Sequence, residues 1–201
     1  MSSLEYPLME DFYTIQGEGY NTGKAAYFIR LAGCDVGCVW CDVKDSWSVE
    51  NHPRVSTDEM LKRIKESGTD KVVITGGEPA MYDLQLLTGV LRMNNLYCYI
   101  ETSGAYKLTG TWDWICVSPK KFKAPLPEVL KKANELKVII FNKSDFDWAE
   151  KNAMLVDKDC LLYLQPEYSV IDNVMPMIID YVMKNTQWRI SLQTHKIIGV
   201  R

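Results

Sequence analysis

The stretch that decides the fold is Cys34-Asp35-Val36-Gly37-Cys38-Val39-Trp40-Cys41, which places three thiols within eight residues. A thiolate is the metal-binding form of cysteine, and three thiolates on one loop can each bind one iron of a cubic 4Fe-4S cluster. The fourth iron then lacks a protein ligand, and its open position can bind a small molecule, as the open position of a catalytic zinc does. The loop therefore predicts a cluster that takes part in chemistry.

A structural zinc site is the alternative interpretation of this loop, with His52 or a distant cysteine as the fourth ligand. Structural zinc sites usually combine two close cysteine pairs, and the chain has no second close pair. The other cysteines, Cys98, Cys116 and Cys160, each lie in a short apolar run, where cysteine behaves as a small buried hydrophobe. The spacing favours the cluster.

The composition limits the class of protein. With 201 residues, the chain is long enough for one domain with a sizeable core. A net charge of −3 and the lack of a long Lys/Arg run argue against a nucleic-acid surface. The N-terminus has no basic segment followed by an apolar run, and no stretch is long and apolar enough to span a membrane. Six cysteines in a chain without a signal peptide indicate a reducing compartment. We therefore expect a cytoplasmic protein with a small substrate and with neither a nucleic-acid nor a membrane partner.

Strand and helix signals alternate along the chain. A capping box at Ser56–Glu59 begins one helix, and the last helix carries an apolar stripe from Ile171 to Met183, with regular helix expected from Pro176 onward. The predicted strands are 26–31, 71–74, 97–101, 114–117, 138–141, 161–164 and 188–192, and the other predicted helices are 84–93, 127–135 and a segment from 145. This alternation implies a parallel sheet with right-handed crossovers. We predict an α/β fold, a partial TIM-like barrel that is open along one side, with outer helices and with function at the strand C-termini.

Two motifs in the predicted order raise a resemblance. The segment Thr75-Gly76-Gly77-Glu78-Pro79 follows the second predicted strand, downstream of the C-x3-C-x2-C loop. This combination resembles the radical S-adenosylmethionine (SAM) superfamily, in which the Gly-Gly-Glu-Pro segment binds the methionyl amino group of SAM. At the next strand end, Glu101 and Ser103 offer a carboxylate and a hydroxyl suited to the ammonium and ribose of SAM; an ordinary strand-to-loop turn is the alternative.

A more specific resemblance covers nearly the whole chain. It rests on the order Ile15-Gln16-Gly17-Glu18-Gly19, Arg30, the cysteine loop with Asp42, Thr75–Pro79, Glu101-Thr102-Ser103-Gly104, Ser118-Pro119-Lys120 and Gln165-Pro166. This order resembles the 7-carboxy-7-deazaguanine synthase family. In that family, a 5′-deoxyadenosyl radical from SAM removes a hydrogen atom from 6-carboxy-5,6,7,8-tetrahydropterin, whose ring contracts to 7-carboxy-7-deazaguanine with loss of ammonia, on the route to queuosine and other 7-deazapurines. The resemblance implies a lyase, an electron donor such as a flavodoxin or ferredoxin, and a homodimer.

The resemblance also implies roles for individual residues. The pterin would be held by Ile15, Gln16, Gly17, Glu18, Arg30 and Thr75. The chain would be a single domain, residues 1–201, whose C-terminal tail closes the site with His195 and the terminal carboxylate of Arg201. SAM would be lined by Trp40, Cys41, Asp42, Gly77, Ser118, Pro119, Lys120 and Gln165, and the cluster would be bound by Cys34, Cys38 and Cys41. For Arg30 the residues agree, because a charge in an apolar strand needs a partner, which a substrate carboxylate or an internal acid would supply.

One position departs from the family pattern. The residue after Cys41-Asp42 is usually a hydroxyl residue that binds Mg²⁺ bridging to the substrate, whereas this chain has Val43. Valine offers no oxygen, so Mg²⁺ would be held by substrate, water and Asp42 or Asp45, or the metal dependence is weaker. Two other classes of function compete with this synthase: a small radical SAM activase that generates a glycyl radical on a partner protein, and an iron-sulfur electron-transfer module.

Overall fold

The computed structural model describes residues 4–201. The predicted domain and the predicted N-terminal segment both include residues 1–3, which lie outside the described part. The strands are β1 Glu5–Ile15, β2 Ala25–Leu31, β3 Arg54–Ser56, β4 Lys71–Gly76, β5 Tyr97–Thr102, β6 Trp114–Val117, β7 Glu135–Ile140, β8 Leu161–Pro166 and β9 Trp188–Ile190. The helices are α1 Thr57–Ser67, α2 Gln85–Met93, α3 Pro127–Leu130, α4 Ser144–Ala153, α5 Ile171–Lys184 and α6 Thr194–Ile198.

The strands form one nine-stranded sheet in the order β3-β1-β2-β4-β5-β6-β7-β8-β9. The seven strands from β2 to β9 in this order pair in parallel, while β1 and β3 add an antiparallel extension at one edge. Within residues 4–201, β3 and β9 lie at opposite edges of the sheet, which is therefore open. The predicted α/β fold with an open, largely parallel sheet is confirmed.

Strand β7 illustrates how side-chain alternation separates the core from the site. Its residues Leu136, Val138 and Ile140 are fully buried in the main hydrophobic core. The residues between them, Glu135, Lys137 and Ile139, point to the opposite face because successive side chains alternate across a strand, and they line the internal cavities. At β7, apolar side chains thus pack on one face of the sheet, and Glu135 and Lys137 place charges on the other.

Strand β1 has no counterpart among the predicted elements. The sequence pattern predicts strands only from residue 26 onward, whereas β1 pairs with β2 from Ile15↔Ala25 to Leu8↔Leu31. Residues Tyr6 and Leu8 are buried, but the C-terminal half of β1 is only partly buried. An antiparallel strand with one solvated side tolerates polar residues, so this half lacks a strong apolar signal.

Three helix predictions need correction. Helix α3 ends at Leu130, and residue 135 already belongs to β7. Helix α5 begins at Ile171, so Pro176 lies inside it. The ring removes the amide hydrogen that would bond the carbonyl of Asp172, which is an exposed residue. In the capping box, the Ser56 side chain accepts from the amide of Glu59 as predicted, but the Glu59 carboxylate pairs with Arg63.

The apolar stripe of α5 is narrower than predicted. Residues Val174 and Ile178 are buried, whereas Ile179 and Met183 are exposed. No helix in residues 4–201 combines the length and the apolar character that crossing a bilayer requires.

Candidate active site

A cavity of about 280 Å³ opens at the C-terminal ends of the parallel strands. Its lining includes residues that lie at the ends of five strands or just beyond them: Cys34 after β2, Thr75 in β4, Glu101 in β5, Ser118 after β6 and Gln165 in β8. A second internal cavity measures about 10 Å³, room for about one water molecule. The large cavity is therefore the candidate active site.

The predicted site residues converge on this cavity with one exception. All the residues predicted for the cluster, the pterin and SAM line it except Pro119. Pro119 is buried behind the wall, where its carbonyl accepts a hydrogen bond from Nε1 of Trp148 at 3.4 Å. Pro119 lies between the lining residues Ser118 and Lys120, and its contact with SAM stays a prediction.

The three thiols of the cysteine loop face the cavity as free cysteines, with Cys38 buried and Cys34 and Cys41 half-buried. Backbone hydrogen bonds from Gly33 to Ser46 and from Cys34 to Trp47 close the base of the loop, at 2.6 and 3.2 Å. Within residues 4–201, no three His, Cys, Asp or Glu side chains are grouped as they would be around one metal ion. A 4Fe-4S cluster does not require that grouping, because each thiolate binds a different iron.

The residues offered for a zinc site lie elsewhere. The ring of His52 bonds the carbonyl of Asp45 at 2.8 Å and does not line the cavity. Cys98 and Cys160 are buried in the hydrophobic core, as predicted. Cys116 is buried too, but it faces the inner side of the sheet, 3.6 Å from a carboxylate oxygen of Glu135. The arrangement fits a three-cysteine cluster better than a four-ligand zinc site.

A lysine lies beside the cysteine loop. Lys120 donates to the hydroxyl of Ser118 at 2.5 Å, and its ammonium lies 5.4 Å from the ring centre of Trp40. Burial lowers the pKa of Lys120, although the nearby Cys38 opposes this shift. Burial raises the pKa of the Cys38 thiol and the Lys120 charge counteracts it, so this lysine favours the thiolate that binds iron.

The Gly-Gly-Glu-Pro segment is hydrogen-bonded to the backbone that leads into the cysteine loop. The amide of Gly77 donates to the carbonyl of Leu31 at 2.9 Å, and the amide of Glu78 donates to the carbonyl of Gly33 at 2.8 Å. A Cβ added at Gly77 would lie 2.3 Å from the same Gly33 carbonyl. Glycine is thus required here by the approach of protein backbone, before any ligand is considered.

Glu78 organises the adjacent strand end from a fully buried position. Its carboxylate accepts from the amides of Ala80 and Ser103, at 2.9 and 2.8 Å, and from the hydroxyls of Thr102 and Ser103. The Ser103 hydroxyl, predicted to contact the ribose of SAM, is therefore engaged by Glu78. This carboxylate ties the end of β4 to the end of β5.

The segment from Gln16 to Gly19 enters the open side of the sheet. The Gln16 side chain donates to Glu101 at 2.7 Å and accepts from the amide of Glu18 at 3.1 Å. A Cβ added at Gly17 would lie 2.2 Å from Nδ1 of His195, and one added at Gly19 would lie 1.9 Å from Oε1 of Glu135. The two glycines therefore allow close contact with protein side chains.

Lys137 is a site residue that the sequence predictions missed. Its side chain is 3% exposed, and its ammonium pairs with Glu18 and, at 3.4 Å, with Glu101. A charge in the run Glu135-Leu136-Lys137-Val138-Ile139-Ile140 is the same kind of signal that singled out Arg30. The sequence pattern predicts a helix up to residue 135 and a strand only from residue 138, so it places Lys137 in neither element, whereas β7 spans Glu135–Ile140.

Arg30 has an internal partner as well as a place on the cavity wall. Its Nε bonds Oε1 of Glu10 at 2.9 Å, and the guanidinium of Arg201 pairs with Oε2 of the same Glu10 at 3.1 Å. The Thr14 hydroxyl donates to the backbone carbonyl oxygen of Arg201 at 3.1 Å. The chain end thus folds back against β1, while the substrate role of Arg30 stays a prediction.

Val43 lines the cavity, but its side chain carries no oxygen. The hydroxyl of the buried Ser46 donates to the Val43 carbonyl at 2.6 Å, so that oxygen is engaged. Asp42 is largely exposed and lies 4.0 Å from the ammonium of Lys196. Both Asp42 and Lys196 line the cavity, but Asp45 does not.

Comparison with known proteins places these features in context. Residues 28–139 match the Radical SAM superfamily. The chain is 55% identical to a 7-carboxy-7-deazaguanine synthase of Flavobacterium psychrophilum, over 96% of this chain and 92% of that protein. It is 47% identical to a 7-carboxy-7-deazaguanine synthase of Synechocystis sp., over 99% of this chain and 95% of that protein. The crystal structure of QueE from Escherichia coli superposes with a TM-score of 0.85 at 37% identity, over 95% of each chain.

Proposed function

Because the chain belongs to the 7-carboxy-7-deazaguanine synthase family of the radical SAM superfamily, we propose that it converts 6-carboxy-5,6,7,8-tetrahydropterin to 7-carboxy-7-deazaguanine. The reaction releases ammonia, which makes the protein a carbon–nitrogen lyase of 7-deazapurine (queuosine) biosynthesis. The observation that carries this proposal is the convergence of the three thiols and the Gln16–Glu18 segment on one cavity.

The cysteine side of the cavity would hold the cluster and SAM. Cys34, Cys38 and Cys41 would bind three irons. A cluster held there would supply the single electron that radical chemistry on SAM needs. The Glu101 carboxylate can accept from the ammonium or ribose of SAM, and Ser118 and Gln165 offer further polar contacts on the same wall.

The opposite side of the cavity would hold the pterin. Each carboxylate oxygen of Glu18 already has one donor, from Gln193 at 2.8 Å and from Lys137, and each keeps a free lone pair for the N–H edge of the pterin. Gln16 uses both ends of its side chain internally, so it would act by orienting Glu18. The substrate carboxylate would lie toward Arg30, whose charge Glu10 only partly balances because Glu10 also pairs with Arg201.

A bound Mg²⁺ would take its protein oxygen from Asp42, because Val43 has no oxygen to offer and Asp42 lines the cavity. Carboxylates and water are the ligands that this hard cation prefers. We therefore propose a weak magnesium dependence for this chain.

Partners and location follow from the same chemistry. The cysteine loop reaches the surface, since Val39 is 70% exposed, and a one-electron donor such as a flavodoxin or ferredoxin could approach there. We also propose a homodimer and a cytoplasmic location; the dimer rests on the family resemblance, and the location on the need for reduced thiols.

The test is anaerobic incubation of the reconstituted protein with the pterin, SAM and a reductant, followed by mass analysis. We expect 7-carboxy-7-deazaguanine, with turnover and bound iron lost in Cys38→Ala and retained in Cys160→Ala. An absence of product, with SAM cleaved only when a partner protein is added, would support the activase instead. A cluster that does not respond to SAM would support the electron-transfer module.

A further inference from the structure

Lys137 connects the two halves of the proposed site. Its ammonium bonds Oε2 of Glu18, in the segment after β1, and lies 3.4 Å from Oε2 of Glu101, at the end of β5. Glu18 belongs to the part assigned to the pterin, and Glu101 belongs to the part assigned to SAM. One buried cation thus bridges two carboxylates that would serve two different ligands.

The remaining oxygens of both carboxylates are also held by fixed donors. Glu101 Oε1 accepts from Gln16 at 2.7 Å, and Glu18 Oε1 accepts from Gln193 at 2.8 Å. The side chain of Glu18 is 16% exposed and that of Glu101 is 25% exposed. Both carboxylates are therefore oriented before any ligand binds.

The charges around Lys137 favour the ion pairs. Burial alone would raise the pKa of Glu18, but the Lys137 ammonium and the hydrogen bonds from Lys137 and Gln193 lower it to about 2. Burial would lower the pKa of Lys137, but Glu101 and Glu18 raise it well above its usual value. Without this cation, burial would favour the protonated form of Glu18.

Other titratable groups face Lys137 from its own strand and from β6. Glu135 lies two residues earlier on β7, where its carboxylate accepts from the amide of Tyr20 and from Nε1 of Trp114. Cys116 on β6 and Lys120 after β6 also contribute to the local field. Glu135 is committed to anchoring the segment after β1, so it does not replace Glu18 or Glu101 as a partner for Lys137.

We propose that Lys137 is a positioning residue, which holds Glu18 and Glu101 at a fixed separation so that the pterin and SAM bind side by side. This inference rests on the proposed function for the identity of the two ligands. A lysine that served stability alone would leave ligand affinity and its pH dependence unchanged when the folded variant is compared with the wild type.

The test measures anaerobic binding of the pterin and of SAM by calorimetry between pH 6 and pH 8, in cluster-loaded wild type, Lys137→Met and the exposed control Lys184→Met. We expect wild-type affinity for the pterin to be flat with pH, because Glu18 stays ionised. In Lys137→Met we expect affinity to fall roughly 10- to 150-fold, as for loss of a hydrogen bond to a charged group, and to fall further as pH decreases. Wild-type affinity and flat pH dependence in Lys137→Met would overturn the proposal.

A double variant keeps the test decisive if Lys137→Met does not fold. Lys137→Met with Glu101→Gln removes one charge of each sign, so Glu18 no longer faces an unpaired carboxylate. We expect this protein to fold and to bind the pterin more weakly than the wild type, with an affinity that falls as pH decreases, because the buried Glu18 still lacks its cation. Wild-type affinity and flat pH dependence for the pterin in this double variant would overturn the inference, whereas a wild type that binds both ligands but forms no product would overturn only the proposed function.

Discussion

Removal of the Glu78 carboxylate should destabilise the wall of the cavity. In Glu78→Ala, the hydroxyls of Thr102 and Ser103 can rotate toward other acceptors, but the amides of Ala80 and Ser103 are fixed by the backbone. An unpaired buried donor costs about 1–3 kcal/mol, so the two amides together cost about 2–6 kcal/mol. For a chain of this size, we expect the unfolding midpoint to fall by about 4–24 °C.

The assay is thermal unfolding of the iron-free protein, followed by circular dichroism. Glu78→Gln retains one carbonyl oxygen and should lose about half as much stability as Glu78→Ala. Glu66→Ala is the matched control, because Glu66 is an exposed residue of α1, and surface changes of this kind stay within about 0.5 kcal/mol. SAM binding by the cluster-loaded variants is measured in parallel.

The reasoning fails if Glu78→Ala unfolds at the same temperature as the wild type. If that variant also loses SAM affinity, the Glu78 carboxylate contacts SAM directly and does not serve to hold the ends of β4 and β5 together.

Three further predictions concern the glycine segment, the metal position and the chain end. Gly19→Ala should lower the free energy of unfolding by about 1–2 kcal/mol because of its left-handed backbone, and further because the new Cβ displaces Glu135. The loss should exceed that in Gly23→Ala, where the added Cβ meets nothing within 4 Å. Equal losses of stability in denaturant unfolding would contradict the packing at Gly19. Val43→Thr should increase the dependence of rate on Mg²⁺ concentration, and identical curves would mean that position 43 does not face the metal. Deletion of Arg201 or a C-terminal tag should lower kcat/KM by roughly 10- to 150-fold while stability changes little, since exposed ion pairs contribute about 0–1 kcal/mol; an unchanged kcat/KM would leave the tail outside substrate binding.

The convergence of motifs on the cavity could be predicted because it depends on local signals and one topological rule. The cysteine loop follows a strand with a clear apolar pattern, and Thr75 and Glu101 lie at the ends of two other such strands. Carboxyl ends of parallel strands meet at the same edge of a sheet, so residues far apart in the chain were expected together. The alternation of strand and helix was enough to establish this order.

The partners of these residues could not be predicted, because they depend on contacts between distant segments. Glu10 pairs with Arg30 from a strand that the sequence pattern did not reveal. Lys137 was placed outside any predicted strand, so its inward direction was not visible. Gly17 and Gly19 were expected to approach a ligand, whereas His195 and Glu135 occupy the adjacent space. In each case the deciding neighbour is at least 20 residues away.

The position of Pro176 within α5 shows a different limit of sequence patterns. A proline that begins a helix and one that lies inside a helix both follow apolar residues at helical spacing. Asp172, whose carbonyl loses the intrahelical donor, is an exposed residue, which fits a proline that the helix tolerates. Solvent exposure is a property of the folded chain.

The most direct measurement is the EPR spectrum of the reduced, reconstituted cluster before and after addition of SAM. Cys34, Cys38 and Cys41 leave one iron without a protein ligand, so SAM should change the spectrum of the wild type and of Cys160→Ala in the same way. A spectrum that SAM does not alter, at full iron loading, would contradict an open iron site in this cavity.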